Sequence, residues 1–327
     1  MKNIAVLMGG YSSEWEISIK SGMVVAANLD TDFFNIYNIH IMPHAWYYED
    51  ANGNRAIIDK NDFSITVVGE KVNFDCCYNT IHGTPGEDGK LQAYLELLGI
   101  PQTSCNSYVA GITFNKRDTI SIVRSRNIET AKNMFLNEGD AYDPHEIALQ
   151  LGLPCFVKAN RSGSSFGVSK VYEATEIASA LETAFKEDNE VLIESFLEGT
   201  EVSVGVYRIG DEIIVLPATE LVSENDFFDY EAKYLGQSQE ITPARITSRQ
   251  YKLLKETTAR IYKYLNCSGI ARADFIFHQG RPHFVEINTN PGMSEASIVP
   301  QQIRHMGNTL KEVFTQIILD CIKKHSA

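Results

Sequence analysis

A strand-like stretch from Ala271 to Asn288 carries an arginine, two carboxylates and an amide at even spacing. If ARADFIF-HQGRP-HFVEIN folds as a hairpin turning on Gly280, Asp274 faces Glu286 and Arg272 faces Asn288. Side chains alternate along strands, so all four project from one face. Two carboxylates so close repel each other unless a cation lies between them. Together with an Asn carbonyl oxygen they make the oxygen-rich set that Mg²⁺ takes, above all when phosphate supplies further ligands. The same pairing sets Ile276 opposite Phe284, an apolar floor for a flat ring. A surface hairpin with a solvated charge cluster is the plainer reading. The continuation NTNPGMSEAS weighs against it. Pro291-Gly292 bares backbone N–H groups there, and Ser294 and Ser297 add donors for an anion.

Cations suited to phosphate occur elsewhere in the chain. Lys158 precedes the small-residue loop Arg161-Ser162-Gly163-Ser164-Ser165, whose backbone amides could approach a phosphate closely. The loop is neither a Walker A sequence nor a GxGxxG fingerprint, and most such tips are only turns. Lys116 and Lys233 are further cations. Glu194 and Glu201 bracket SFLEGT, which could hold an adenine edge on its backbone while the acids take sugar hydroxyls. A solvated linker explains that segment equally simply. Glu14 and His82 follow expected parallel strands, at the edge where such sheets meet ligands.

The chain that must position these groups has 327 residues and a net charge of −13. Its length suits about two domains, or three small ones. With 44% hydrophobic and 22% charged residues it can bury a core. The acidic balance argues against nucleic acid or an anionic membrane as main partner. A small anionic ligand needs only local donors. No apolar run approaches the ~18 residues of a membrane span, and the one near the N-terminus stops at Gly9-Gly10. The six cysteines show no zinc spacing, which points to free thiols in a reducing compartment.

Pattern places a strand over Asn3–Met8, a helix from a Ser13-x-x-Glu16 capping box to Asn28, and strands over Phe34–Ile41 and Phe74–Thr80. A helix over Lys90–Leu98 completes a largely parallel α/β unit. A helix at Asp118–Arg126 follows. Cys155–Ala159 and Phe166–Val171 read as an antiparallel pair, then a helix over Ala174–Phe185 and a strand over Glu190–Glu194. Long strands over Glu201–Leu221, a helix ending near Leu265 and the Ala271–Asn288 hairpin come next. In the last helix Leu310, Val313, Phe314, Ile317, Ile318 and Cys321 form a core stripe.

Taken together, these segments resemble the D-alanine–D-alanine ligase family of the ATP-grasp superfamily. The resemblance runs through GGYSSEWEIS, HGTPGEDGKLQ, NKRDT, VKANRSGSSFGVSKV, IESFLEGTEVSV, DYEAKYL and RADFIF…VEINTNPGMSEASIVP. It implies an α/β and α+β ATP-grasp fold of three domains, with an N-terminal parallel-sheet domain. The expected divisions are 1–104 for a substrate-binding domain, 105–195 for a central one and 196–327 for a catalytic one. ATP would lie between the second and third.

By the same resemblance Lys116, Lys158 and Lys233 contact the phosphates. Glu194 and Glu201 bind adenine and ribose over Ile276, and Asp274, Glu286 and Asn288 hold two Mg²⁺ or Mn²⁺. Glu14 receives the ammonium of the first D-alanine, in a network with Ser164 and Tyr234. Arg272 and the Gly292 amide meet the oxyanion. Ser297 holds the carboxylate of the second D-alanine beside Ile298, and His82 lies near the first. Trp15, Gln102, Asn115, Ile120 and Ala159 depart from the family pattern, which bears on affinity and not on reaction class. The family also implies a cytoplasmic homodimer serving peptidoglycan synthesis. D-lactate or D-serine as second substrate is the near alternative, and an inactive nucleotide-binding module the distant one.

Overall fold

The computed structural model describes residues 1–163, 167–223 and 238–325. The first apolar run forms β1 (Lys2–Gly9), followed by α1 (Trp15–Asn28) and β2 (Phe34–Ile41). The helix carries the chain back over the sheet, so β1 and β2 pair in parallel. Then come β3 (Trp46–Glu49), β4 (Arg55–Ile57), a separate hairpin of β5 (Ile65–Val67) and β6 (Glu70–Val72), and β7 (Cys76–Asn79). The sheet order is β4-β3-β2-β1-β7. Its centre is parallel as expected, while β3 and β4 add an antiparallel edge absent from the sequence-based reading.

The capping box expected at Ser13 does not form. Glu14 takes the N-cap position of α1 without a side-chain bond. Ser12 acts instead, its hydroxyl donating to the His82 carbonyl oxygen at 2.9 Å and accepting from the Glu14 N–H at 3.3 Å. The start of α1 is thereby tied to the loop after β7.

Helices α2 (Lys90–Leu97), α3 (Ser107–Phe114) and α4 (Lys116–Arg124) follow. Asn115 ends α3 and caps α4, its side-chain oxygen accepting from the Asp118 N–H at 3.1 Å. A second sheet contains β8 (Asn133–Asn137), β9 (Cys155–Ala159), β10 (Ser169–Val171) and β11 (Glu190–Ser195), with α5 (Pro144–Leu151) and α6 (Ile177–Phe185) against it. Its order is β10-β9-β11-β8, and every pairing is antiparallel.

The third sheet runs β15-β14-β12-β16-β17, with β13 also on β12. Its strands are β12 (Thr200–Ile209), β13 (Glu212–Val215), β14 (Thr219–Ser223), β15 (Ser238–Ile241), β16 (Ala271–His278) and β17 (Arg281–Asn288). Between them lies α7 (Ser248–Tyr264), and after them α8 (Ile298–His305) and α9 (Leu310–His325). Val109, Ala110, Ile120 and Val123 of α3 and α4 enter the core of this sheet with Leu254 and Ile261 of α7.

The hairpin pairs Arg272 with Asn288 and Asp274 with Glu286, as expected, but by a different route. The two turn residues are Gln279 and Gly280, both at positive φ (50° and 78°). The turn is therefore not centred on Gly280, and pairing from the tip begins with His278 opposite Arg281. A bulge at Val285 then restores the register between Asp274 and Phe275. Below the bulge Ile276 pairs with His283, not Phe284. Phe284 pairs with Phe275 and turns into the core.

Leu310, Val313, Phe314, Ile317 and Ile318 of α9 are buried, as the stripe predicts. They join Ile4, Val6, Met8 and Tyr78 of the first sheet, where the Tyr78 ring meets Phe314 edge-on at 5.4 Å between centroids. Each such side chain contributes about 1.5–3 kcal/mol on burial. The last helix covers the first sheet.

Candidate active site

Three sheets converge on one cleft. The third supplies a polar row, because one face of β12, β16 and β17 carries Glu201 opposite Ile276, Ser203 opposite Asp274, and Asp274 opposite Glu286. Arg272, two residues along β16, grips Asp274 through Nε at 3.0 Å and a terminal nitrogen at 2.8 Å. Ser203 donates to the same carboxylate at 2.5 Å. Glu286 takes a different cation: Lys116 Nζ, from the first turn of α4, stands 3.4 Å from its Oε2. The expected repulsion between Asp274 and Glu286 is thus relieved by one cation for each. Lys116 also donates to the Ser162 carbonyl oxygen at 2.7 Å, which draws the small-residue loop after β9 to the cleft.

Lys158 on β9 and Glu194 on β11 are diagonal neighbours across adjacent strands. Lys158 Nζ donates to Glu194 Oε2 at 2.6 Å, and both side chains are largely buried. Burial pulls the Lys158 ammonium down, but the Glu194 carboxylate outweighs it, with Glu286 and Glu201 adding to the pull, so its pKa lies above the ordinary lysine value. A cation held this firmly is suited to phosphate.

The first sheet delivers Glu14 and His82. A Cβ placed on Gly163 would stand 3.2 Å from Glu14 Oε2. The missing side chain lets the β9 loop approach that carboxylate without displacing it. His82 is buried, and its loop is joined to the segment after β17 by Asn290 Nδ2 donating to the Ile81 carbonyl oxygen at 2.8 Å. Burial lowers the His82 pKa, although the charge on Glu14 opposes this. Ser297 stands at the N-cap of α8, directly before Ile298. Its hydroxyl shares a 2.7 Å bond with Ser294 and lies 2.9 Å from where a Cβ on Gly292 would sit. Contacts, charge coupling and facing strand positions join Glu14, His82, Lys116, Lys158, Glu194, Glu201, Arg272, Asp274, Ile276, Glu286 and Asn288, while Gly292, Ser297 and Ile298 follow between β17 and the first residue of α8. Ser164, Lys233 and Tyr234 lie outside the described residues.

Two groups at the cleft were missed in the sequence. Ser203 carries no local signal, since its partner Asp274 is distant in the chain. Glu87 belongs to the polar GEDG stretch after His82, and it lines the cleft beside Lys116 and Glu286. It accepts the Gly83 N–H at 2.6 Å. Burial first, then repulsion from Glu14, pushes its carboxyl up to about 8, against the pull of that hydrogen bond and of Arg272. The folded protein therefore keeps a proton that the unfolded chain releases. Stability from this group is complete at acid pH and lost as pH rises toward about 8. In protein free of nucleotide and metal, Glu87→Gln should flatten the fall in Tm between about pH 5 and 8. Equal slopes in both proteins would mean that Glu87 is ionised throughout.

Residues 3–105 match the family described as "D-ala D-ala ligase N-terminus", and residues 122–319 match "D-ala D-ala ligase C-terminus". The chain belongs to the D-alanine–D-alanine ligase family. The ligase is 54% identical to the D-alanine–D-alanine ligase of Flavobacterium johnsoniae over 318 residues, 97% of this chain and 98% of that one. Among solved structures, it resembles the D-Ala:D-Ser ligase VanG from Enterococcus faecalis (TM-score 0.85, 32% identity, 99% of each chain). It also resembles the D-alanine–D-alanine ligase from Bacillus anthracis complexed with ATP (TM-score 0.80, 29% identity, 100% of this chain and 99% of that one). The fold is that of the ATP-grasp ligases. Among the described residues no helix is long and apolar enough to cross a membrane.

Proposed function

We propose that this protein joins two D-alanine molecules into D-alanyl-D-alanine at the expense of ATP, through an acyl phosphate, for peptidoglycan precursors. The observation that carries the reading is Lys116 against Glu286 of the third sheet's carboxylate row, with Lys158, paired to Glu194, near enough to feel the charges of Glu286 and Glu201. A carboxylate is a poor acylating agent. Its oxygen must first attack the γ-phosphorus of ATP, with ADP leaving. Lys116 and Lys158, with Lys233, hold the phosphates for that transfer, and Glu194 and Glu201 hold adenine and ribose over Ile276. The amine of the second D-alanine, carrying no extra proton, then attacks the acyl carbon, and phosphate departs. Arg272 and the Gly292 N–H meet the oxyanion. Glu14 holds the first ammonium with Ser164 and Tyr234, His82 lies beside the first substrate, and Ser297 with Ile298 receives the second.

Asp274, Glu286 and Asn288 suit two Mg²⁺ or Mn²⁺. Two carboxylates and an amide oxygen are a hard-donor set that already attracts cations, as the contacts with Lys116 and Arg272 illustrate. Such ions, when bound, neutralise charge on the transferring phosphoryl group. The division at 104/105 and 195/196, a cytoplasmic location and a homodimeric state belong to the same reading.

The test is ADP release. Purified protein with ATP and Mg²⁺ should turn over with D-alanine and yield the dipeptide, and should not do so with L-alanine. ATP binding without D-alanine-dependent turnover would favour an inactive nucleotide-binding module. The likeness to a D-Ala:D-Ser ligase makes D-serine the next substrate to offer, followed by D-lactate. Tyr234 favours the amine, as part of a polar wall that a hydroxyl nucleophile does not require.

A further inference from the structure

Ser21 lies in α1 and is fully buried, and its residue type gave no reason to single it out. Two groups from distant parts of the chain converge on its hydroxyl. The Met293 backbone N–H donates to Oγ at 3.1 Å, and His82 Nε2 stands 3.4 Å away. A serine hydroxyl has one proton to give and lone pairs to accept with. The Met293 N–H uses one of those lone pairs, so the hydroxyl can either give its proton to Nε2 or accept one from it. In the first arrangement Nε2 is bare and the imidazole proton sits on Nδ1. A backbone hydrogen bond at Asn290 that holds the ring's pKa up fits a ring N–H given to a carbonyl, and Nδ1 is the nitrogen not already beside Ser21. Burial works in the same direction, because it disfavours the doubly protonated ring.

We propose that Ser21 is a positioning residue that fixes His82 as the neutral Nδ1–H tautomer and, through the same oxygen, ties the His82 loop to the segment carrying Gly292. The Met293 N–H is part of the Gly292–Met293 peptide, so anchoring it fixes the chain on the C-terminal side of Gly292. One hydroxyl on the first sheet's helix thereby aligns two substrate-facing groups from different parts of the fold. Its importance for turnover rests on the proposed function; the tautomer does not.

The tautomer is read in protein without substrates, by long-range ¹H–¹⁵N correlation of the His82 ring. Wild type should show a protonated Nδ1 and an unprotonated Nε2. Ser21→Ala removes donor and acceptor together and should lose that pattern. Its kcat should fall about tenfold or more, as small misplacements near reacting groups do, with the KM for ATP little changed. Ser21→Thr keeps the hydroxyl and should keep both the tautomer and most of kcat. A wild-type proton on Nε2 would overturn the proposal, even if Ser21→Ala does not fold. So would Ser21→Ala with an unaltered ring pattern and unaltered kcat. If the protein proves not to turn over D-alanine, the ring measurement still decides the assignment.

Discussion

Glu286→Gln should lower kcat by on the order of 10²-fold or more while leaving the protein folded, as removal of a key electrostatic stabiliser does elsewhere. The amide preserves shape and removes one negative charge from the face that Asp274 shares. Lys116 loses a partner at 3.4 Å, but it keeps the Ser162 carbonyl oxygen at 2.7 Å. The Glu286 side chain is about a third exposed, so its ion pair contributes little to stability. The loss therefore belongs to chemistry. Steady-state rates across a Mg²⁺ titration should show both a lower ceiling and a need for more metal, with Tm nearly unchanged. Wild-type metal dependence in the variant would remove Glu286 from the metal set.

Lys158→Met should be costly in two separable ways. The cation is expected to stabilise the transferring phosphoryl group, and losing it should cost on the order of 10²–10³-fold in turnover. It also neutralises Glu194, whose side chain is only 7% exposed. Removing one member of a buried pair strands the other charge, at about 3–5 kcal/mol. Pairing Lys158→Met with Glu194→Gln should recover most of that stability, since the remaining amide is neutral, but should recover no activity. Thermal denaturation and ADP release on the two variants distinguish the effects. If the double variant is no more stable than the single one, the pair is not what Lys158 contributes to the fold.

The hairpin shows how far sequence periodicity carries and where it stops. Arg272 with Asp274, and Glu286 with Asn288, could each be given one face because alternation is local. Their facing across the hairpin came out as expected only because the bulge cancels the offset of the turn. The pairing nearer the tip did not. A turn over Gln279-Gly280 shifts the register by one, and Val285 shifts it back. A correct result at Asp274 therefore hid an error at Ile276. Ser203 and Ser21 were out of reach for another reason. Their partners are 71 and 272 residues away, and nothing local marks a serine that waits for a distant group. At the start of α1 the local rule misled, because Ser12 spends its hydroxyl on the His82 carbonyl oxygen, and a bond across the fold replaced the capping box.

The cover that α9 provides for the first sheet has a consequence for biosynthesis. Ile4, Val6, Met8 and Tyr78 are made more than 230 residues before Leu310, Val313 and Phe314, which cover them. At roughly 5–20 residues per second, that interval is on the order of 10–50 s. During it the nascent chain presents an apolar sheet face covered only in part, by Val25 of α1 and the neighbouring Leu29. A growing polypeptide in that state is a natural client for a chaperone that shields hydrophobic surface. Messages truncated shortly before the codon for Leu310 should yield aggregating product even though every cleft residue has already been translated.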